Sequence, residues 1–272
     1  AEACNGQDDD CNGFADDGCP TDLRTDLAPI PAGPSLLGSL DADPAGCARD
    51  PRSDENCDEV PQRQIQLSAF EIEAHEVTNA QYQACLQAGR CAAPARPMGV
   101  ASAAQFGDPA FADHPVIWVT RTQAAAYCNW AGRRLPTEAQ WERAARSDTP
   151  AAQRRYPWGD VAPDCQRANL SNCAAGTRPV ASFAGDRTAQ GVSDLGGNVH
   201  EVTAGFYDPT YYRGAPEQDP PGADAPDERR QIAVRGGSYR SAPAFSTLTY
   251  RGFRHLVADR DPRPDTGFRC VR

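Results

Sequence analysis

The sequence predicts an α+β domain with little regular secondary structure and long loops, and three observations support this prediction. Helix signals are few, because only three short segments begin at a Thr that fits the N-cap position. Apolar and polar residues alternate over short stretches such as QIQLSAFEI, residues 64–72, as they do in a half-buried strand. Segments rich in Pro and charge, at 41–63 and 208–230, are typical of long surface loops.

The three helices are each placed by a capping residue. The predicted N-caps are Thr78, Thr120 or Thr122, and Thr137. The third segment, TEAQWERAAR, fits the capping-box template with Thr137 at the N-cap and Gln140 three residues later. Beyond it, the last third of the chain predicts only short strands separated by Gly-Gly and Asp-Pro turns.

The charge of the chain argues against a nucleic-acid partner, and its hydropathy argues against a transmembrane helix. The net charge is −10 over 272 residues, whereas proteins that bind a phosphate backbone present basic surfaces. No apolar run approaches the roughly 20 residues that a transmembrane helix needs. A basic-then-apolar leader is also missing from the start, so we expect a secreted or cell-surface protein, extracellular or periplasmic, whose export signal has been removed.

Cysteine usage predicts disulfide bonds. The chain has 11 Cys and 4 His, but no CxxC pair and no clustering of His near Cys, so disulfides in an oxidising compartment are favoured over zinc. Proximity favours Cys85–Cys91, Cys165–Cys173 and Cys47–Cys57, although other connectivities stay open. The odd count leaves one thiol that is either free or paired outside this sequence.

Residues 1–24 form an acidic, Cys-rich segment with almost nothing apolar to bury, and 25–272 form the main domain. In the segment, acidic and amide residues stand at the spacing of a calcium-binding loop around Gly13: Asp8, Asp10, Asn12 and Asp16. The closing Glu of such a loop is replaced by Cys19. The segment resembles the CDGxDNDCDGxxDxG metal-binding motif of secreted bacterial proteins; the alternative is a solvated acidic tail held by disulfides.

A second acidic group lies in GVSDLGGNVHEV, residues 191–202. Asp194, Asn198 and Glu201 bracket a Gly-Gly turn whose carbonyls can point inward, a plausible cage for a hard cation. An Asx-type turn with a surface carboxylate explains the same residues.

The ordered motifs of the chain resemble those of the formylglycine-generating enzyme (sulfatase-modifying factor) family. They include HPVIWVTRTQAAAYCNWAGRRLPTEAQWERAAR (114–146), YPWGD (156–160), DLGGNVHEV (194–202), VRGGSY (234–239) and DTGFRCVR (265–272). The resemblance implies a C-type-lectin-related fold that often carries bound calcium. It also implies that the Cys of AYCNWAG pairs with the Cys of GFRC, here Cys128 with Cys270.

The resemblance assigns calcium ligands as well. One site matches the side chains of Asp194 and Glu201 and the carbonyls of Gly197 and Val199. A further site begins at Asn169 and the Leu170 carbonyl, but the stretch that supplies its other ligands is largely deleted here.

The resemblance argues against the family's oxidase chemistry in this chain. Oxidase members bind copper through a cysteine pair, because soft thiolates suit Cu(I). Both positions are serine here, Ser241 and Ser246. An iron site built from the scattered histidines, or a nucleophile at Ser238, lacks evident partners in the sequence.

The sequence therefore predicts a secreted, calcium-stabilised, non-catalytic binding or structural module of this family, which makes it a pseudoenzyme. Its expected partner is a protein or glycan at the cell surface, or a second copy of the chain. Arg and aromatic residues near the C-terminus suggest a ligand face. Its candidate residues are Arg235, Ser238, Tyr239, Arg240, Ser241, Phe245, Ser246, Tyr250, Arg251 and Arg254. The alternatives are that these side chains pack the fold, or that some of them line the pocket of an enzyme with altered, copper-free chemistry.

Overall fold

The computed structural model describes residues 26–40, 57–94, 106–147, 153–224, 231–254 and 262–272, without the side chains of Cys57, Phe253 and Arg254. The predicted calcium ligands of the acidic N-terminal segment lie outside the described residues: Asp8, Asp10, Asn12 and Asp16. Cys47 of the predicted Cys47–Cys57 disulfide also lies outside them.

Two small antiparallel ladders lie near the start of the described chain. β1 (Leu27–Ile30) pairs with β4 (Phe70–Glu73), and β2 (Gly33–Leu37) pairs with β3 (Arg63–Leu67). The single strand predicted over 64–72 is therefore two strands that separate at Ser68, whose backbone N–H donates to Asp219 Oδ1 at 2.7 Å.

The predicted helices are confirmed. They are α1 (Asn79–Gln87), α2 (Arg121–Trp130) and α3 (Glu138–Ala145), with complete capping boxes at Thr78, Thr120 and Thr137. A short helix that was not predicted, α4 (Tyr211–Gly214), lies in the loop expected at 208–230. None of the helices in the described ranges is long and apolar enough to cross a membrane.

A four-stranded sheet gathers the last third of the chain. Its strands are β5 (His200–Phe206), β6 (Ile232–Arg235), β7 (Arg251–Arg254) and β8 (Thr266–Gly267), in the order β7-β6-β5-β8. Only the β5–β8 pair is parallel. This order brings the GGNVHEV, VRGGS and DTGFRC motifs side by side, and the mixture of short helices and small sheets confirms the predicted α+β class.

The core has two main clusters. In the first, Tyr82 stacks on Tyr127 at 5.8 Å between ring centroids, and the edge of Phe268 meets both rings. In the second, the fully buried Trp141 of α3 packs with residues of β1 to β4. Helix α3 thus joins the N-terminal ladders to the sheet that carries the later motifs.

Three predicted disulfides are confirmed: Cys85–Cys91, Cys128–Cys270 and Cys165–Cys173. Cys128–Cys270 spans 142 residues and ties α2 to the C-terminal segment. Both of its cysteines are fully buried.

Candidate functional site

A buried chain of hydrogen bonds includes Ser241, one of the two positions where the family resemblance places a copper-binding cysteine in oxidase members. Ser238 Oγ lies 2.9 Å from Ser241 Oγ, which lies 3.1 Å from His200 Nε2. His200 Nδ1 lies 2.7 Å from the Gly236 carbonyl oxygen. Strand β5 supplies the His, and the turn after β6 supplies the carbonyl and both serines.

The partners set the direction of this chain. A carbonyl oxygen only accepts, so His200 Nδ1 carries a proton and donates to Gly236; in the neutral form of the ring, Nε2 would accept from the Ser241 hydroxyl. Ser241 Oγ in turn accepts from the backbone N–H of Ser238 at 3.1 Å. The sequence had indicated no His or Asp partner for a nucleophile at Ser238. In the structure the Ser238 hydroxyl contacts Ser241, and β5 brings His200 to Ser241, which the sequence argument had not considered as a nucleophile.

The donor set does not fit copper. The Ser246 hydroxyl donates to the Pro243 carbonyl at 2.7 Å, and Ser241 is hydrogen-bonded as described. Among described cysteine side chains, every one lies in a disulfide. The described residues therefore contain no thiolate pair that could hold Cu(I). The serine hydroxyl groups do not replace it, because they are hard ligands that stay protonated near neutral pH.

Several residues of the predicted ligand face are buried, which corrects that prediction. Arg235, Ser238, Ser246 and Arg251 are at most 2% exposed, and Ser241 is 7% exposed. On the surface side of the same segment, Arg240 and Phe245 are exposed, while Tyr239 and Tyr250 are partly exposed.

The two buried arginines belong to an ion network on α3. Arg251 binds Glu138 with two hydrogen bonds of 2.8 Å, and Arg235 Nη2 donates to Glu142 Oε2 at 2.7 Å. Burial alone would raise the pKa of Glu138, but the charges and hydrogen bonds of Arg251 and Arg235 outweigh it and lower that pKa. Both guanidinium groups therefore hold the fold together instead of facing a ligand.

The predicted calcium ligands lie in a buried acidic cluster. Glu201 is already compensated, because Arg269 donates to both of its carboxylate oxygens at 2.7 Å and Trp141 Nε1 donates to Oε2 at 2.8 Å. Asp194 Oδ2 accepts from the Ala181 backbone N–H at 2.5 Å. The sequence argument had not placed a guanidinium in this cluster, and Arg269 compensates the charge of Glu201 there.

Two further carboxyl groups complete this cluster. Glu76 accepts from Asn198 Nδ2 at 2.8 Å and from the Val199 backbone N–H at 3.2 Å. Asp186 accepts from the Gly196 backbone N–H at 3.0 Å, and its Oδ1 is buried with no partner. Burial, reinforced by repulsion from Asp194, raises the pKa values of Glu76 and Asp186 well above the usual range.

Asp194 titrates at an elevated pH for a similar reason. Burial raises its pKa to about 6, although the Ala181 hydrogen bond and Arg269 oppose the rise. In the described residues, the cluster therefore places four acidic groups against the one guanidinium of Arg269. The oxygens of the acidic groups are hard donors. Over the described ranges, however, no group of three or more His, Cys, Asp or Glu side chains is arranged to hold a metal ion.

The second predicted calcium site has one available donor. Asn169 is buried and its Nδ2 donates to Gly176 and Asn198, but its Oδ1 has no partner. The Leu170 carbonyl accepts from the Cys173 backbone N–H at 2.9 Å. Calcium at either position stays a prediction.

A sequence profile decides the family. The profile of the sulfatase-modifying factor enzyme 1-like domain matches residues 20–272. The chain belongs to this family. It is 32% identical over 256 residues to hercynine oxygenase of Mycolicibacterium smegmatis, a match that covers 84% of this chain and 57% of that protein. It is 37% identical over 178 residues to the formylglycine-generating enzyme of Streptomyces coelicolor, which covers 58% of this chain and 52% of that protein.

The chain thus spans about half the length of the curated relatives it matches. Solved structures show the same family fold. PvdO from Pseudomonas aeruginosa aligns with a TM-score of 0.70 at 24% identity, covering 90% of this chain and 93% of PvdO. CarF aligns with a TM-score of 0.61 at 22% identity, covering 92% of this chain and 98% of CarF.

Sequence reasoning missed His200, Glu76, Asp186 and Arg269 as members of these two sites. His200 and Arg269 both lie inside family motifs, GGNVHEV and DTGFRC. Once β5 and β8 are known to pair, Arg269 is expected near Glu201, and once β5 and β6 are known to pair, His200 is expected near the turn after β6. Glu76 is distant in sequence from the rest of the cluster, and Asp186 lies shortly before Asp194 but outside the GVSDLGGNVHEV motif.

Proposed function

We propose that this chain is a secreted, disulfide-stapled, calcium-stabilised binding module of the sulfatase-modifying factor family that does not perform copper oxidase chemistry. One observation carries the proposal: hydroxyl groups, closed into internal hydrogen bonds, stand at both positions where the family's copper chemistry needs thiolates. Disulfides support an oxidising compartment, since such bonds persist outside the reducing cytosol.

The buried acidic cluster supports a role for calcium. Among the described residues, Arg269 is the cation that opposes the charge of four acidic side chains: Glu76, Asp186, Asp194 and Glu201. The Asp194 side chain, with the carbonyls of Gly197 and Val199, would hold the ion, and Glu201 would take part through an oxygen shared with Arg269. Bound calcium would neutralise part of the buried negative charge and stabilise the folded chain.

The exposed half of the C-terminal segment supports a ligand face. Phe245 is 43% exposed and packs against Tyr250 at 5.1 Å between ring centroids, with Arg240 exposed on the same segment. Aromatic and Arg side chains anchor protein interfaces and stack on sugars. The partner proposed for this face is a protein or a glycan at the cell surface, or a second copy of the chain.

Metal analysis combined with thermal unfolding tests the proposal. Purified protein should contain calcium without stoichiometric copper or iron, and EDTA should lower its Tm. Asp194→Asn should remove most of that response, whereas Asp26→Asn, at an exposed Asp outside the cluster, should keep it. An unchanged Tm after chelation would exclude stabilising calcium, and stoichiometric copper would overturn the non-oxidase assignment.

The Ser241–His200 pair favours a second function, an enzyme of altered chemistry. In the neutral form of the His200 ring, the Ser241 hydroxyl would donate to Nε2 while the Gly236 carbonyl orients the ring, and this is the arrangement of an activated nucleophile and its base. In an acyl transfer, Ser241 Oγ would bond to the acyl carbon while its proton moved to His200 Nε2. The bond from that carbon to the substrate's alcohol or amine would then break, and His200 would give the proton to the departing oxygen or nitrogen.

A fluorophosphonate probe, which labels activated serines, separates the two functions. Covalent labelling at Ser241 that is lost in His200→Gln and retained in Ser246→Ala would establish the enzyme. A folded protein that does not react, or one that reacts equally in His200→Gln, would leave the binding module as the function.

A further inference from the structure

A cavity of about 460 Å³ lies on a part of the molecule that neither site described above uses. Its wall combines the loop after β2, the segment after α3 and residues just before β7. Ser238, Ser241 and His200 do not line it, and neither does any member of the acidic cluster. Its volume is within the range of sites that bind metabolites.

One wall carries a buried carboxyl group without a complete set of partners. Glu59 is 1% exposed, and its Oε1 makes no hydrogen bond. Its position is fixed by close packing, because the Ser39 backbone N–H donates to the Glu59 carbonyl at 2.9 Å and a Cβ at Gly38 would lie 2.3 Å from that oxygen. A buried polar atom left without a partner is costly, and a bound ligand can satisfy it.

The cavity lining also carries positive charge that no ion pair in the described residues neutralises. The Arg154 Nη1 donates only to the Arg146 carbonyl at 3.2 Å, and Arg155 has only a cation–π contact with Tyr156 at 6.0 Å. Neither guanidinium has an ion-pair partner in the described part of the chain. Arg146, by contrast, is neutralised by Glu142 at 2.7 Å.

The carboxylate of Asp160 also lines the cavity. Asp160 accepts from the Arg155 backbone N–H at 2.9 Å. Two guanidinium groups therefore stand against one charged carboxylate, because burial raises the pKa of Glu59 to about 8 and keeps it neutral near pH 7. A locally positive cavity on a chain of net charge −10 selects anionic ligands.

We propose that this cavity binds a small organic anion, whose carboxylate or phosphate group contacts Arg154 and Arg155 and whose polar end reaches Glu59. Guanidinium groups are suited to this task, since their forked N–H groups match the oxygens of both anions. A neutral Glu59 carboxyl both donates and accepts, so it accommodates a hydroxyl or amide on the ligand. The inference is independent of calcium binding and of the surface ligand face.

Binding of matched small probes to the full chain tests the proposal. Glutarate supplies a carboxylate, phosphoserine supplies a phosphate, and glutaramide is the neutral counterpart of glutarate. At least one anion should bind by calorimetry, and glutaramide should bind at least about tenfold more weakly. Arg154→Gln combined with Arg155→Gln should weaken binding of that anion by about tenfold or more.

A second double variant controls for net charge. Arg90→Gln with Arg187→Gln removes the same charge at exposed positions outside the cavity and should leave anion binding unchanged. Equal weakening in both double variants would overturn the site in favour of general electrostatic attraction. Equal binding of glutaramide and glutarate, or no binding of either anion, would overturn it as well.

Discussion

At the residue scale, the molecule depends on buried charges that are compensated one by one. Arg269 is the clearest case, because it is fully buried and faces Glu201, while Asp194 and Glu76 lie close enough to raise its pKa. Removing one partner of a buried pair leaves the other charge without compensation.

Arg269→Met should therefore destabilise the protein by about 3–5 kcal/mol. Arg272→Met is a matched control on an exposed pair with Glu71, whose side chains are 49% and 37% exposed, and should cost less than about 1 kcal/mol. Chemical denaturation of both variants measures the difference. Adding Glu201→Gln to Arg269→Met should recover part of the loss; equal losses for the two Met variants would contradict this account of the cluster.

Glu59 predicts a pH dependence. Burial raises its pKa to about 8, while a hydrogen bond from Thr249 opposes the rise. The folded chain therefore keeps a proton that the unfolded chain has lost, so this residue's contribution to stability is fully present below the ordinary pKa and falls as pH rises to about 8.

Glu59→Gln should remove the free-energy cost of ionising a buried carboxyl group, because the Gln side chain does not titrate. Relative to the unaltered protein, the Tm of the variant should rise by about 5 °C at alkaline pH and change little at acidic pH. Glu217→Gln, at an exposed position, should show no such divergence. A Tm difference for Glu59→Gln that stays constant across the pH range would contradict a raised pKa at this residue.

At the scale of elements, helix α3 positions more of the buried network than any other helix in the described ranges. Its Glu138 and Glu142 hold Arg251, Arg235 and Arg146. The helix begins at Thr137, whose hydroxyl accepts from the Gln140 backbone N–H at 3.1 Å. A shift in the start of this helix would displace Glu138 and Glu142, the two carboxylates that pair with these three arginines.

Thr137→Ala should destabilise the protein by about 1–2 kcal/mol, because it removes the N-cap hydrogen bond. Ser182→Ala, which removes a hydroxyl from an exposed loop position, should change stability by less than about 0.5 kcal/mol. Urea unfolding of the two variants provides the comparison. A cost at Thr137 no larger than that at Ser182 would show that packing, not the cap, fixes the start of α3.

The elements also show what the sequence could and could not predict. Helix starts were predictable because a capping box is local, with both partners three residues apart. The break between β3 and β4 was not, since the group that binds the Ser68 N–H is Asp219, 151 residues away. Likewise, Ser241 and Ser246 were found from motif spacing, but the pairing of Ser241 with His200 depends on how β5 packs against the turn after β6.

At the scale of the whole molecule, the C-terminal segment joins the parts of the fold. Its Phe268 carbonyl accepts from the Val77 backbone N–H at 2.9 Å, and the Cys270 N–H donates to Glu73 Oε2 at 2.7 Å. Val271 then bridges to both Ile72 and Arg134. The Cys128–Cys270 disulfide joins this segment to α2 within the core cluster that also contains Tyr82, Tyr127 and Phe268.

Removing this disulfide should therefore affect the whole molecule. In the chain-entropy model, a loop as long as the 142 residues of Cys128–Cys270 contributes about 5 kcal/mol, whereas the 8-residue Cys165–Cys173 loop contributes about 2.5 kcal/mol. We expect Cys128→Ala/Cys270→Ala to lower the Tm about twice as far as Cys165→Ala/Cys173→Ala does. Non-reducing peptide mapping gives an independent check, since it should recover Cys128 joined to Cys270. Equal Tm losses in the two double variants, or Cys270 recovered as a free thiol, would contradict the central position given to this bond, because the C-terminal segment would then be held by packing and hydrogen bonds alone.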